Sequence, residues 1–145
     1  MQYIRLLIFA LSFFSFNVNA YSSSLLNELY INPIHQTKPI AIIFYNSLVP
    51  CPNCNKAIFI TSQILRKNYY NLIHLYLINL KFYPEFIFTF NLKGPLNLVV
   101  IKIKDRASFG YQKITGLQSK TNDIISLNQQ ITNLFANFLN ISPQN

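Results

Sequence analysis

Tryptophan is absent from this 145-residue chain, and glycine occurs only three times. So little glycine excludes a glycine-rich linker and a glycine-cradled dinucleotide loop. Acids are scarce as well, with four Asp+Glu against twelve Lys+Arg. Charged residues make up 11% of the chain, far below the roughly 25% of an average domain, which argues against intrinsic disorder. There are only two cysteines, too few for the multi-bridge framework of a small secreted scaffold. No stretch of 18 or more apolar residues follows the N-terminal region, so the mature chain is expected to be soluble. The four acids are widely spaced and give no paired-carboxylate signal, and no Ser-His-Asp arrangement can be argued.

What is present is apolar: 51% of residues are hydrophobic, enough for one domain to bury a core without staples. Abundant Asn, Ile, Leu, Phe and Tyr is the usage an AT-rich genome produces, so part of the lysine excess reflects composition. Met1 to Ala20 reads as a secretory signal peptide. Arg5 supplies the positive start, Leu6–Phe16 the apolar region, and Val18-Asn19-Ala20 the small residues before a cut ahead of Tyr21. An uncleaved anchor is the weaker reading, because Leu6–Phe16 falls well short of the roughly 20 residues needed to span a bilayer. The expected division is therefore 1–20 signal peptide, 21–38 N-terminal extension and 39–145 folded domain. Export to a periplasmic or extracellular space places the cysteines in an oxidising compartment.

Along the mature chain, Tyr21–Tyr30 suggests a short helix ended by Asn32-Pro33. Pro39–Tyr45 is an unbroken run of strand formers, as in a parallel strand buried on both faces. A helix is expected over Pro52–Asn68, with Ala57, Ile58, Thr61, Ile64 and Leu65 on its apolar face and Arg66-Lys67 in its last turn. A second strand covers Leu72–Asn79, and a short helix covers Glu85–Asn91 behind Pro84. Leu96–Ile103 and Phe109–Thr115 form a hairpin around Lys104-Asp105-Arg106. A closing helix runs to about Leu139, capped by Ser119 or Thr121. Its apolar face holds Ile124, Ile125, Leu127, Ile131, Leu134, Phe135 and Phe138. The order β-α-β-α-β-β-α predicts an α/β fold, one mixed sheet with helices on both faces.

Cys51-Pro52-Asn53-Cys54 leaves a strand and opens a helix. Placed at the helix N-cap, Cys51 would meet unpaired N–H groups and the positive end of the dipole, which favour a reactive thiolate. Pro52 at the first helical position costs no hydrogen bond. Cys54 lies close enough to close a disulfide and to resolve a mixed disulfide. An inert structural pair and a metal-binding pair remain as alternatives. Two Cys with His35 and His74 make a zinc set by residue type, without zinc-finger spacing. A thiolate pair also suits copper by softness. The ordinary readings are a core histidine for His74 and a loop residue for His35.

With its strand, its Cys-x-x-Cys and the segment Asn91-Leu92-Lys93-Gly94-Pro95 leading into Leu96–Ile103, the chain resembles the thioredoxin-like superfamily over about Pro39–Leu139. The resemblance implies a thiol-disulfide oxidoreductase, with Cys51 as nucleophile and Cys54 as resolving thiol. It implies that Pro95, beside Gly94, is the cis-proline that shapes the peptide-docking edge. It implies no cofactor, and partners that are protein thiols or disulfides. The Pro52-Asn53 dipeptide is closer to the Cys-Pro-x-Cys of glutaredoxins than to the thioredoxin motif. The chain departs from the pattern in several places. Tyr45 ends the strand that carries a buried acid in thioredoxins, and Pro50 stands where a tryptophan is usual. The residue between the glycine and the cis-proline is missing, and the glutaredoxin Gly-Gly after the hairpin is absent. These departures keep open a non-enzymatic binding or assembly component of the cell envelope, and a copper-handling thiol protein.

Lys102, Lys104, Arg106 and Lys113 are expected to cluster near the hairpin as a solvated basic face. Docking to an acidic partner or an anionic membrane surface is the functional alternative. Nucleic acid is not an expected partner for an exported chain, and a monomer is expected. Phe86, Phe88 and Phe90 read as core, or as an apolar rim around the cysteines.

Overall fold

The computed structural model describes residues 38–105 and 108–144. The proposed signal peptide, the helix expected over 21–30, His35 and Arg106 lie outside the described residues.

Four strands form one sheet in the order β2-β1-β3-β4. They are β1 (Ile40–Tyr45), β2 (His74–Asn79), β3 (Leu96–Asp105) and β4 (Ser108–Thr115). β1 pairs parallel with β2, Ile40 facing His74, and antiparallel with β3, Ile40 facing Ile101. β3 and β4 form the expected hairpin, with a register shift between Ile103 and Asp105 that carries β3 beyond its predicted end.

β1 is apolar throughout because it faces a core on each side. Ala41 and Ile43 join one buried cluster; Ile40, Ile42 and Phe44 join the other. Each buried isoleucine or phenylalanine among them stabilises the fold by roughly 1.5–3 kcal/mol. The first cluster is closed by α1 (Cys54–Tyr69), which buries Ala57, Thr61, Leu65 and Tyr69 at a strict four-residue spacing. The second is closed by α2 (Glu85–Thr89), whose Phe86 and the following Phe90 pack on Phe44 at 5.4 and 5.6 Å between ring centroids. Phe88, on the opposite side of that helical turn, is 87% exposed, so the three phenylalanines divide between core and surface.

The closing helix differs from expectation. It is two pieces, α3 (Leu117–Lys120) and α4 (Ile124–Leu134), followed by a π-helical turn, Phe135–Leu139. The cap of α4 is neither Ser119 nor Thr121. Asp123 takes that place, its Oδ1 accepting the Ser126 N–H at 3.0 Å. Ser119 sits inside α3, its hydroxyl donating to the Gly116 carbonyl at 2.9 Å. Leu127, Ile131 and Phe135 face the core as expected, whereas Ile124 and Ile125 are exposed in the first turn of α4. The ring of Phe135 stacks on that of Tyr69 at 4.2 Å, tying the chain's last turn to the end of α1. Among the described residues no helix is long and apolar enough to cross a membrane.

Candidate active site

The cysteines follow the carboxyl end of β1, and the loop that carries them is held from two sides. The Asn46 N–H donates to the Pro95 carbonyl at 3.0 Å, anchoring it to the segment before β3. Asn79, the last residue of β2, anchors it on the other side. Its Oδ1 accepts the Ser47 N–H at 3.3 Å, and its Nδ2 donates to Ser47 Oγ at 2.9 Å. The same Oδ1 accepts the Lys81 N–H at 3.0 Å. Within the loop, Asn46 Oδ1 accepts the Leu48 N–H at 3.1 Å, the short-range turn that asparagine favours.

Cys51 and Cys54 are joined by a disulfide, with Cα atoms 5.4 Å apart. The Cys54 N–H donates to the Cys51 carbonyl at 3.4 Å, and Asn53 sits at φ −99°, ψ 0°. That is a type I turn with Pro52 at the position proline favours and Asn53 third. The turn feeds straight into α1, whose first residue is Cys54 and whose N-cap is Asn53. Cys51 therefore precedes the helix by a turn instead of capping it, and Pro52 lies in that turn and not inside α1. The two sulfurs, bonded to each other, sit together where α1 begins, the end whose dipole favours a thiolate. Both cysteines are half-buried, and Cys54 packs against the cluster under α1. Tyr45, half-buried at the end of β1, packs against that same cluster, so the strand contributes a phenol there and no acid.

Gly94 is exposed at φ +71°, where a left-handed backbone favours glycine, although a Cβ would meet nothing nearer than Gln118 Nε2 at 3.9 Å. Pro95 reaches the cysteine loop through its carbonyl. Every peptide bond among the described residues is trans, so Pro95 does not have the cis form that the resemblance implies.

Asn79 and Asn46 were not singled out by the sequence as site residues. An asparagine at each end of the cysteine loop's anchors is a turn signal, but pairing of Asn79 with Ser47 across two strands is not legible from spacing.

His74 stands at the amino end of β2, opposite Ile40, while the cysteines follow the carboxyl end of β1 five residues on. At about 3.3 Å per residue the sheet separates them by roughly 17 Å, so His74 does not complete a zinc set with the cysteines. Burial, and then the nearby charge of Lys38, push its imidazole below the ordinary value. Among the described residues no group of three or more His, Cys, Asp or Glu comes together.

The expected basic cluster is divided. Lys102 and Lys104 lie exposed on β3, in the alternating row that continues Leu98 and Val100. Lys113, paired with Val99, faces the other side. Its ammonium donates to the Phe90 carbonyl at 3.0 Å and to the Asn91 carbonyl, satisfying the open end of α2.

No protein-family model matches the chain, and no curated protein matches it in sequence. Solved structures do match in fold. A thioredoxin of Plasmodium falciparum aligns over 74% of this chain and 80% of its own, at 20% identity and a TM-score of 0.51. Trxlp from Edwardsiella tarda aligns over 74% of this chain and 90% of its own, at 9% identity and a TM-score of 0.50. The mixed four-stranded sheet, its helices on both faces and the Cys51–Cys54 pair at the first strand-to-helix junction together give the chain a thioredoxin-like fold.

Proposed function

We propose that the chain is an exported thiol-disulfide oxidoreductase acting on protein thiols or disulfides through Cys51 and Cys54. The observation that carries this reading is the half-exposed Cys51–Cys54 disulfide in a turn at the β1–α1 junction of a thioredoxin-like fold. Stability alone is a poor reason for such a bridge, since so short a loop contributes only about 2 kcal/mol by chain entropy. In the oxidising direction, a substrate thiolate attacks Cys51 Sγ and Cys54 leaves as a thiolate. A second substrate thiolate then attacks the substrate sulfur of the mixed disulfide and releases Cys51. Two electrons and two protons pass from the substrate dithiol to the cysteine pair. In the reducing direction the same steps run backwards.

The test is the rate at which the oxidised protein oxidises a peptide dithiol, compared with Cys51→Ser. Wild type is expected to react and the variant to sit at background; equal rates reject the proposal. Export, a periplasmic or secreted location and a monomeric state belong to the same proposal. Arg5, the apolar Leu6–Phe16 and Val18-Asn19-Ala20 support export. Expression of the full chain in an exporting cell is expected to yield a mature N-terminus at Tyr21. Tyr45, standing where the resemblance implies an acid, favours a second reading, a non-enzymatic binding or assembly component of the envelope. That reading predicts a phenotype indifferent to Cys51→Ser.

A further inference from the structure

Three segments meet at the carboxyl ends of β1 and β2. One, residues 46–53, carries Leu48, Val49 and Cys51. The second, 80–84, carries Lys81 and Phe82. The third, 91–95, carries Lys93. The hydrogen bonds already described join them, Asn46 to Pro95 and Ser47 to Asn79. Leu48 and Phe82 are each 68% exposed, and Val49 is 40% exposed. Single exposed apolar residues are ordinary, but these sit on two tied loops beside a reactive bond. Lys81 presents its charge with the ring of Phe82, its Nζ 5.7 Å from the centroid. Lys56, Lys81 and Lys93 are all exposed; residues 46–56 and 91–95 contain no Asp or Glu, and the one acid beside the 79–84 segment is the half-buried Glu85 that opens α2. Three exposed lysines thus outnumber the half-buried Glu85 at this end of the sheet, which is apolar with a net positive charge, and such charges act over about a Debye length, 8–10 Å.

This inference rests on the thiol-disulfide reading and adds a substrate class to it. We propose that this face selects polypeptide segments in which the reacting cysteine is flanked by a bulky apolar side chain and by Asp or Glu. The apolar neighbour covers Leu48 and Phe82, and the carboxylates meet the three lysines. Complementary charge of this kind acts chiefly on the rate of encounter and on partner choice.

The experiment uses the oxidised full chain and three Cys-x-x-Cys peptide dithiols, flanked by Leu/Glu, Leu/Lys or Ser/Gly. Each rate of disulfide transfer is divided by the same protein's rate with dithiothreitol, which reads the intrinsic exchange. The Leu/Glu peptide is expected to react about tenfold faster than the Leu/Lys peptide at low salt, a preference that fades as salt rises. Lys81→Glu/Lys93→Glu is expected to invert the preference, and Phe82→Ser to slow both Leu peptides relative to Ser/Gly. Equal normalised rates for the Leu/Glu and Leu/Lys peptides overturn the proposal. So does charge reversal that weakens binding to phosphatidylserine vesicles while leaving the peptide preference intact. A wild type that fails even with dithiothreitol rejects the redox reading alone. Docking is then read from fluorescence anisotropy with Cys→Ser versions of the peptides, where equal affinities overturn the selection.

Discussion

Asn79 grips Ser47 with both ends of its amide, accepting the backbone N–H through Oδ1 and donating to the hydroxyl through Nδ2. The same Oδ1 takes the Lys81 N–H, so one side chain holds the loop that follows β1 and the loop that follows β2. Asn79→Ala removes three hydrogen bonds at a partly exposed site. At about 0.5–1.5 kcal/mol each in full, and less where water replaces them, a loss of about 1–2 kcal/mol is expected. Urea unfolding measures the loss. The rate of Cys51–Cys54 reduction by dithiothreitol is expected to change with it; Ser47→Ala is expected to do so more weakly.

Phe90 and Phe88 are neighbours on one short helical segment with opposite fates. Phe90→Ala empties a site packed against Phe44, Phe86 and, edge-on, Tyr111 at 5.1 Å. It is expected to cost about 3–5 kcal/mol. Phe88→Ala is expected to stay within about 0.5 kcal/mol of wild type. Thermal or urea denaturation of the pair checks the contrast.

Lys113 serves α2, not a basic surface. Lys113→Met is expected to cost about 1–3 kcal/mol, because two carbonyls lose a charged donor at a half-buried position. Lys102→Met, on the other side of the sheet, is expected to change stability by less than about 0.5 kcal/mol. Similar losses for the two would contradict the division of the lysines across the sheet.

Stability should depend on pH through His74. Its folded-state pKa is lowered by burial and then by Lys38, so the unfolded chain binds its proton more readily. The contribution is complete above the unfolded value of about 6.5 and is lost as pH falls through the lower folded value. Urea midpoints at pH 8 and pH 5 are expected to differ less in His74→Asn than in wild type. Lys38→Ala is expected to raise the His74 pKa read by NMR titration.

Asn97 is fully buried on β3, opposite Phe44, and neither atom of its amide finds a hydrogen-bond partner among the described residues. An unpaired buried amide carries a desolvation penalty of about 1–3 kcal/mol. Asn97→Leu, which keeps the branched side-chain skeleton and removes the polar atoms, is expected to raise the melting temperature. A fall in melting temperature would show that the amide is satisfied in solution.

The alternation of strands and helices was legible because β1 is an unbroken apolar run, β2 and the first half of β3 are largely apolar, and the long helices α1 and α4 repeat at three and four. β1 and α1 illustrate the point: one faces a core on each side, and the other buries every fourth residue. The departures come from short-range polar chemistry and long-range partners. The polar triplet Thr121-Asn122-Asp123 breaks the last helix because Asp123 bonds Ser126 better than it continues a turn. Pro52-Asn53 forms a type I turn, which delays α1 to Cys54. Lys113 looked like surface charge because its partners, the carbonyls of Phe90 and Asn91, lie more than twenty residues away. The Asn79–Ser47 pair was hidden for the same reason, its members standing 32 positions apart.

β1 is an interior strand, paired along its whole length with β2 on one side and β3 on the other. Its amides should exchange with deuterium only when the whole domain opens, whereas those of Leu48 and Val49 should exchange through local fluctuation. The disulfide is thus joined to the strand expected to exchange most slowly by a loop whose opening is local. Local opening of that segment draws on none of the global unfolding free energy, so access to the disulfide and fold stability need not change together at sites outside the loop's anchors.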